Sequence, residues 1–272
     1  MSIKKKDFLE SGDNLLGPAD NVKKDILETG IRIKKKDISF LVSESSNMVK
    51  WWIDAFSSWE NETFDVFDKF LTPTSNFIDL GAWIGTTCLY ASNLSKHIYA
   101  FEADPVSLKD LRLNISVNKF CNITIIPKPI HHLKTQLFFG PKGSGDWNTS
   151  TSQLKLSSNN KLDVKLETIT FPEFIRSFSI NNISLIKIDI ESGEEHIIPD
   201  VFNYTWSINP KPAIYLSFHF TWWKEKNLKR FIPYWTNYKY AYYKLKLISM
   251  FEIENIISQN PFGTILFTEK MI

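Results

Sequence analysis

Residues Asn76–Asp104 read NFIDLGAWIGTTCLYASNLSKHIYAFEAD. Phe77, Ile78 and Leu80 form a short apolar run, the pattern of a strand buried in a parallel sheet. Gly81 and Gly85 punctuate a turn, and Thr86 and Thr87 open a predicted helix running through Leu89, Tyr90 and Leu94. His97 to Phe101 is a second apolar run with Glu102 at its end. The order is strand, glycine turn, helix, strand, acidic tip. This is half of an α/β nucleotide-binding unit.

A strand ending in glycine lets a ligand approach backbone without meeting a Cβ. A helix behind it presents free N–H groups and a positive dipole end. An acid about 20 positions further on is placed to accept hydrogen bonds from ribose hydroxyls, which assigns that role to Glu102. A dinucleotide fingerprint would need glycine at 81, 83 and 86, and this chain has Gly81, Trp83 and Thr86. Trp83 argues against a pyrophosphate packed on the turn. Asp79, two residues before Gly81, suits a cationic part of a ligand, such as an amino group. S-adenosylmethionine (SAM) has an amino group and a ribose.

The stretch FIDLGAWIG followed by FEADP resembles motif I and the acidic loop of class I SAM-dependent methyltransferases. More narrowly it is similar to the FkbM family, whose members carry DxGAxxG and then FExxP. The segment LIKIDIESGEEHII, Leu185–Ile198, resembles that family's KxDxEGxE signature, with Lys187, Asp189, Glu191 and Glu194 on matching positions. Ser192 stands where the family usually has glycine, and Gly193 follows one place later. Trp59–Phe64, WENETF, resembles what precedes motif I in many members, and the likeness runs from about Trp59 to Phe220. It implies a Rossmann-like α/β fold: a mostly parallel sheet of seven strands, the last antiparallel, with helices on both faces. It implies SAM as cofactor, held by Glu62, Asp79, Gly81, Ala82, Trp83, Gly85, Glu102 and Asn114.

Composition sets the outer bounds. With 272 residues, the length fits one α/β domain of residues 59–272 plus an N-terminal extension of residues 1–58. A net charge of +2 gives no global basic field, so no nucleic-acid partner is expected. Two cysteines, Cys88 and Cys121, make no disulfide framework and fit a reducing cytoplasm. The start, MSIKKKDFLESGDN, lacks the apolar run of a signal peptide. No stretch reaches the roughly 18 apolar residues of a membrane span.

The extension carries lysine runs at Lys4–Lys6, Lys23–Lys24 and Lys34–Lys36, read first as solvated surface, and a hairpin within Ile31–Val42. Met48–Phe70 has apolar residues at helical spacing, Trp52, Ile53, Phe56, Phe64, Phe67 and Phe70, predicting one or two helices whose tryptophan and phenylalanines face a core. Ile123–Ile126, Thr135–Phe139, Leu162–Thr170, Ile183–Ile190 and Ala213–Phe220 read as further strands. Gly145–Ser152 is a polar patch around one tryptophan, read as a solvated turn or a lid. Phe220–Tyr243 interleaves aromatics with cations, fitting either a helical cover for the sheet or a surface for sugar rings and phosphate. Tyr243–Met250 and Gly263–Lys270 read as a closing strand pair.

Ligands in open α/β sheets bind at the carboxyl ends of the strands. Asp189, Glu191 and His219 fall there and are the candidate bases for an oxygen acceptor. Two carboxylates could also hold Mg²⁺ with waters, but no spacing demands a metal, and His131–His132 read as structural or solvent-exposed. The expected function is SAM-dependent O-methylation of a hydroxyl on a glycan, sugar derivative or natural product, with a small-molecule or glycan acceptor as the partner. The alternatives are a catalytically inactive methyltransferase fold acting as a binding module in glycan assembly, and a nucleotide-dependent oxidoreductase.

Overall fold

The computed structural model describes residues 29–140, 153–158, 161–191, 193–224 and 226–272. Lys4–Lys6, Lys23–Lys24, the Gly145–Ser152 patch and Ser192 lie outside these residues.

The apolar runs do become buried parallel strands. β3 (Asn76–Leu80) is buried at every position. It sits between β4 (His97–Phe101) and β9 (Ile183–Ile188), parallel to both. β5 (Ile123–Ile126) and β10 (Ala213–His219) extend the parallel part on either side. β13 (Phe262–Thr268) then runs antiparallel to β10 and to β11 (Tyr240–Tyr243), and β11 pairs with β12 (Lys246–Ile248). The order is β12-β11-β13-β10-β9-β3-β4-β5, eight strands against the expected seven. The expected closing pair is also corrected: β12 and β13 do not pair, because β11 lies between them.

Alternation decides which face each side chain serves. Ile78 and Leu80 join Ile186 and Ile188 in one apolar cluster, covered by α5 (Phe171–Phe178) and α6 (Glu194–Trp206). Phe77 joins Leu185 and Tyr215 in the second, covered by α2 (Asn61–Phe70) with Phe64 and Phe67. Asp79 is in phase with Phe77, and Lys187 with Leu185. Asp79, Lys187 and Tyr215 are register partners across β3, β9 and β10. Two of the chain's charges therefore lie side by side on a buried face.

The extension shares this second cluster. β1 (Gly30–Lys35) and β2 (Ile38–Ser43) form the expected hairpin. Phe40 packs edge-on to Trp52 of α1 (Val49–Asp54) at 5.8 Å. Asn114 of α4 (Pro105–Asn118) bridges hairpin and motif turn. Its Nδ2 donates to the Ile84 carbonyl at 2.9 Å, and its Oδ1 accepts from the Ser43 N–H at 3.0 Å. A second sheet, β7-β6-β8 (Gln153–Lys155, Gln136–Gly140, Val164–Glu167), stands beside the main one.

Two local expectations change. The helix after Gly85 is a single turn, α3 (Cys88–Ala91), so a helix dipole contributes little at this turn. Phe220–Tyr243 is not a helix pair but short 3₁₀ turns, a one-turn helix at Ile232–Trp235 (α7) and β11. α8 (Ile253–Gln259) leads into β13. Among the described residues no helix is long and apolar enough to cross a membrane.

Candidate active site

A cleft of about 460 Å³ opens over the carboxyl ends of β3, β4, β9 and β10. Its volume lies in the range of small-molecule sites, roughly 300–1,000 Å³. Two sets of residues face each other across it.

The first set belongs to the motif turn. Gly81 has φ +92°, and a Cβ there would lie 1.9 Å from the Asp189 carbonyl oxygen. Only glycine lets β3 turn this close to β9. The Gly81 and Ala82 N–H groups donate to the Phe101 carbonyl at 3.2 and 2.8 Å. Trp83, at φ +49°, swings its ring into the cleft against Trp51, centroids 5.0 Å apart. Glu102 also lines the cleft. One carboxylate oxygen accepts the Trp83 N–H at 2.7 Å, and the other accepts the Asp104 N–H at 2.7 Å. Burial, reinforced by Asp104, pushes its pKa up to about 8 against those hydrogen bonds. The group is thus fixed by backbone, with lone pairs to spare.

The second set stands on β9, β10 and the start of α6. Asp189, Glu191 and His219 all line the cleft, as expected. His219 Nδ1 lies 2.8 Å from Oε1 of Glu194, and its Nε2 lies 3.4 Å from Glu191 and 3.7 Å from Asp189. Glu194 is fully buried and also accepts from Ile190 N–H and from Trp223 Nε1 at 3.0 Å. A carboxylate only accepts, so Nδ1 carries the ring proton in the neutral histidine and Nε2 faces the cleft carboxylates as a base. Burial works to lower the His219 pKa, but the Glu194 hydrogen bond and the three carboxylates outweigh it and push it up to about 9. Burial, with Asp189 and Glu194 adding to it, pushes Glu191 up to about 8 against the pull of His219. Trp222 stacks on the His219 ring, 5.3 Å away and nearly parallel.

The remaining expected residues sit elsewhere. Asp79 is fully buried and off the cleft surface. Its Oδ2 accepts from the Thr87 hydroxyl at 2.5 Å, and Lys187 Nζ lies 3.6 Å from Oδ1. Lys187 in turn donates to the Gly81 carbonyl at 3.2 Å and pairs with Asp189 at 3.1 Å. Burial lowers the Lys187 pKa, but Asp189, Asp79 and Glu60 together raise it, so a full cation joins the two strand ends. That cation outweighs burial at Asp189 and keeps it lowered and ionised. Asn114, Ala82 and Gly85 likewise support the turn from behind. Glu62 is not among the cleft residues, whereas Glu60 is. Glu60, in a left-handed conformation, precedes the helix starting at Asn61. Two residues along a helix rotate a side chain by about 200°, which carries Glu62 away.

Several cleft residues were not singled out from the sequence as site residues: Trp51, Trp59 and Glu60. Trp51 and Trp52 are adjacent, and a helix sends neighbours to different faces, so a signal existed. Lys35 was read as surface but is buried. Its Nζ donates to the carbonyls of Phe56, Ser57 and Trp59 at 3.0, 3.1 and 2.6 Å and to Asn61 Oδ1 at 2.7 Å. It fixes the loop that delivers Trp59 and Glu60. The structure also gathers a histidine cluster not legible in the sequence: His196 of α6 joins His131 and His132.

The cleft fits a ligand carrying an aromatic base, a ribose and positive charge. Trp51, Trp59 and Trp83 offer ring faces, and Glu60, Glu102, Asp189 and Glu191 offer carboxylates. A family model described as the methyltransferase FkbM domain matches residues 79–244. No curated protein matches the chain. Among solved structures, a precorrin-6y C5,15-methyltransferase from Geobacter metallireducens is 15% identical, covering 70% of this chain and 77% of that one, TM-score 0.42. The FkbM methyltransferase from Methylobacillus flagellatus is 15% identical over 54% of this chain and 33% of that one, TM-score 0.37. A Streptococcus mutans protein in complex with SAH is 11% identical over 76% and 96%, TM-score 0.45.

Proposed function

The chain belongs to the FkbM methyltransferase family, and from that premise we propose that it methylates a hydroxyl oxygen of a sugar derivative, glycan or related small molecule. The methyl donor is SAM, which supplies when bound a methyl group activated on a sulfonium centre. Residues 59–272 act as the catalytic unit, and the extension contributes Trp51 to the cleft and Lys35 behind it.

One observation carries the reading of oxygen as the acceptor atom: His219, oriented through Nδ1 by the buried Glu194, turns Nε2 toward the cleft beside Glu191. This is the arrangement of a positioned general base. The proton leaving an acceptor hydroxyl passes to Nε2 of His219, and Glu194, Asp189 and Glu191 stabilise the imidazolium that forms. Across the cleft, Glu102 and Gly81 hold the donor's ribose and let its chain approach the strand ends. Trp51, Trp59 and Trp83 shield the reaction from water.

The test is methyl transfer from isotopically labelled SAM to a panel of sugars, sugar phosphates and glycans, with the product linkage read by NMR. Label on an acceptor oxygen supports the reading. Label on nitrogen or carbon contradicts it. If SAM binds but no acceptor is labelled at any pH, the binding-module alternative takes its place.

A further inference from the structure

The far end of the cleft is lined by His131, His196, Lys224 and Lys128, from the β5–β6 connection, α6 and the segment after β10. His132 completes a triangle of rings: centroids lie 4.2 Å apart for His131–His132, 5.1 Å for His131–His196 and 5.2 Å for His132–His196. Ligand atoms on these three rings lie within 4.8 Å of one another, which invites comparison with a metal site.

Hydrogen bonding argues for a different ligand. The Leu133 N–H donates to His131 Nδ1 at 3.2 Å. A nitrogen that accepts has its lone pair engaged, so in the neutral ring the proton sits on Nε2. A metal at Nε2 would need that lone pair; an anion needs the N–H. Burial and the neighbouring His132 and His196 keep His131 neutral, lowering its pKa to about 4. The surroundings are positive as well. Lys224 lies close enough to depress both His131 and His196, and Arg230 adds to the effect on His196. Glu195 lies 3.9 Å from His196 Nε2, but it also accepts the Lys224 N–H at 2.8 Å and pairs with Arg230 at 3.4 Å, and Asp200 lies near His132.

We propose that His131, His196 and Lys224 form an acceptor subsite for a phosphate group, with His132 at its outer edge. Several N–H donors on separate elements suit a tetrahedral oxyanion, which offers oxygens in several directions. This inference rests on the methyltransferase reading and narrows it: the acceptor is a phosphorylated molecule, gripped by its phosphate about His131 while its hydroxyl meets His219.

The experiment is calorimetric titration of inorganic phosphate into protein saturated with S-adenosylhomocysteine, at constant ionic strength. Saturating the donor half keeps phosphate out of it and shows separately that the donor site works. Saturable binding is expected, weakened about fivefold or more in Lys224→Met and in His196→Gln and unchanged in Lys96→Met, which sits at the amino end of β4, away from the cleft at the carboxyl ends. His196 and Lys224 are partly or fully exposed, so these variants are expected to fold, which circular dichroism checks. No saturable phosphate binding in a protein that does bind S-adenosylhomocysteine overturns the subsite and leaves the donor reading intact. Binding of Zn²⁺ in place of phosphate, lost in His196→Gln, overturns it in favour of a metal centre.

Discussion

Two neighbouring strand ends, those of β3 and β9, carry similar acidic motifs and are built on different physics. At the turn after β3, Glu102, which itself follows β4, is fixed by the main-chain N–H groups of Trp83 and Asp104 at 2.7 Å. Its geometry follows from the turn, and in the proposed mechanism it binds the donor. After β9, Asp189, Glu191 and Glu194 are arranged around one histidine whose protonation they govern. In the proposed mechanism that end exchanges a proton. The two are joined by Lys187, which reaches from β9 to the Gly81 carbonyl and to Asp79. The lesson is that a strand-end acid declares its role by what holds it. On the proposed reading, the acid held by backbone contacts the donor, and the acids gathered around His219 help to move a proton.

The division can be broken first at the base. His219→Gln should lower kcat for methyl transfer by about 10²–10⁴-fold while SAM affinity stays near wild type. The sign of the pH effect follows from the raised pKa. His219 is protonated at neutral pH and gains its free base form as pH rises toward about 9. Wild-type kcat should therefore climb from pH 7 to about 9, and the variant's profile should lose that limb. A pH-independent wild type, or a loss in KM for SAM alone, would place the proton acceptor elsewhere.

The junction comes next. Gly81→Ala puts a methyl group on the Asp189 carbonyl and holds alanine at φ +92°. A cost on the order of 3 kcal/mol is expected from strain plus overlap, read as a lower denaturation midpoint. A variant as stable as wild type would mean that the two ends are not in contact.

Glu102→Ala sharpens the donor side. Measured above pH 8, where Glu102 is ionised, it should weaken SAM binding about 10–100-fold, the ~1.5–3 kcal/mol of hydrogen bonds to a charged acceptor, with no change in the pH limb of kcat. A smaller effect on donor affinity than at Glu102 is expected at Lys35→Met, which releases the loop bearing Trp59 and Glu60 without touching the donor. A few-fold rise in the SAM Kd with unchanged kcat is expected, together with a lower melting temperature. Equal losses in kcat and affinity would show that Lys35 acts on more than this loop.

The sequence made the fold legible where one residue type had one use. The run Phe77–Leu80 had to be a buried strand, and Gly81 had to be a turn. Asp189, Glu191 and His219 fell at the cleft because strand ends point there. What stayed illegible depended on phase and distance. Asp79 looks like Asp189 in sequence, but alternation puts it beside Lys187 on a buried face. Glu60 and Glu62 differ only in where a helix begins. Lys35 sits in a lysine run that reads as solvent-facing, and its acceptors come from residues 56–61, which only the folded chain brings near. The His131–His196 meeting joins a loop to a helix 65 positions later and leaves no local pattern.

The most direct test of the division is calorimetric SAM binding by wild type, Glu102→Ala and His219→Gln, side by side. The account predicts micromolar binding by the wild type, a loss of about tenfold or more in Glu102→Ala, and no more than about a twofold change in His219→Gln. A folded wild type that binds neither SAM nor S-adenosylhomocysteine, or an affinity that falls with His219 and not with Glu102, would contradict it.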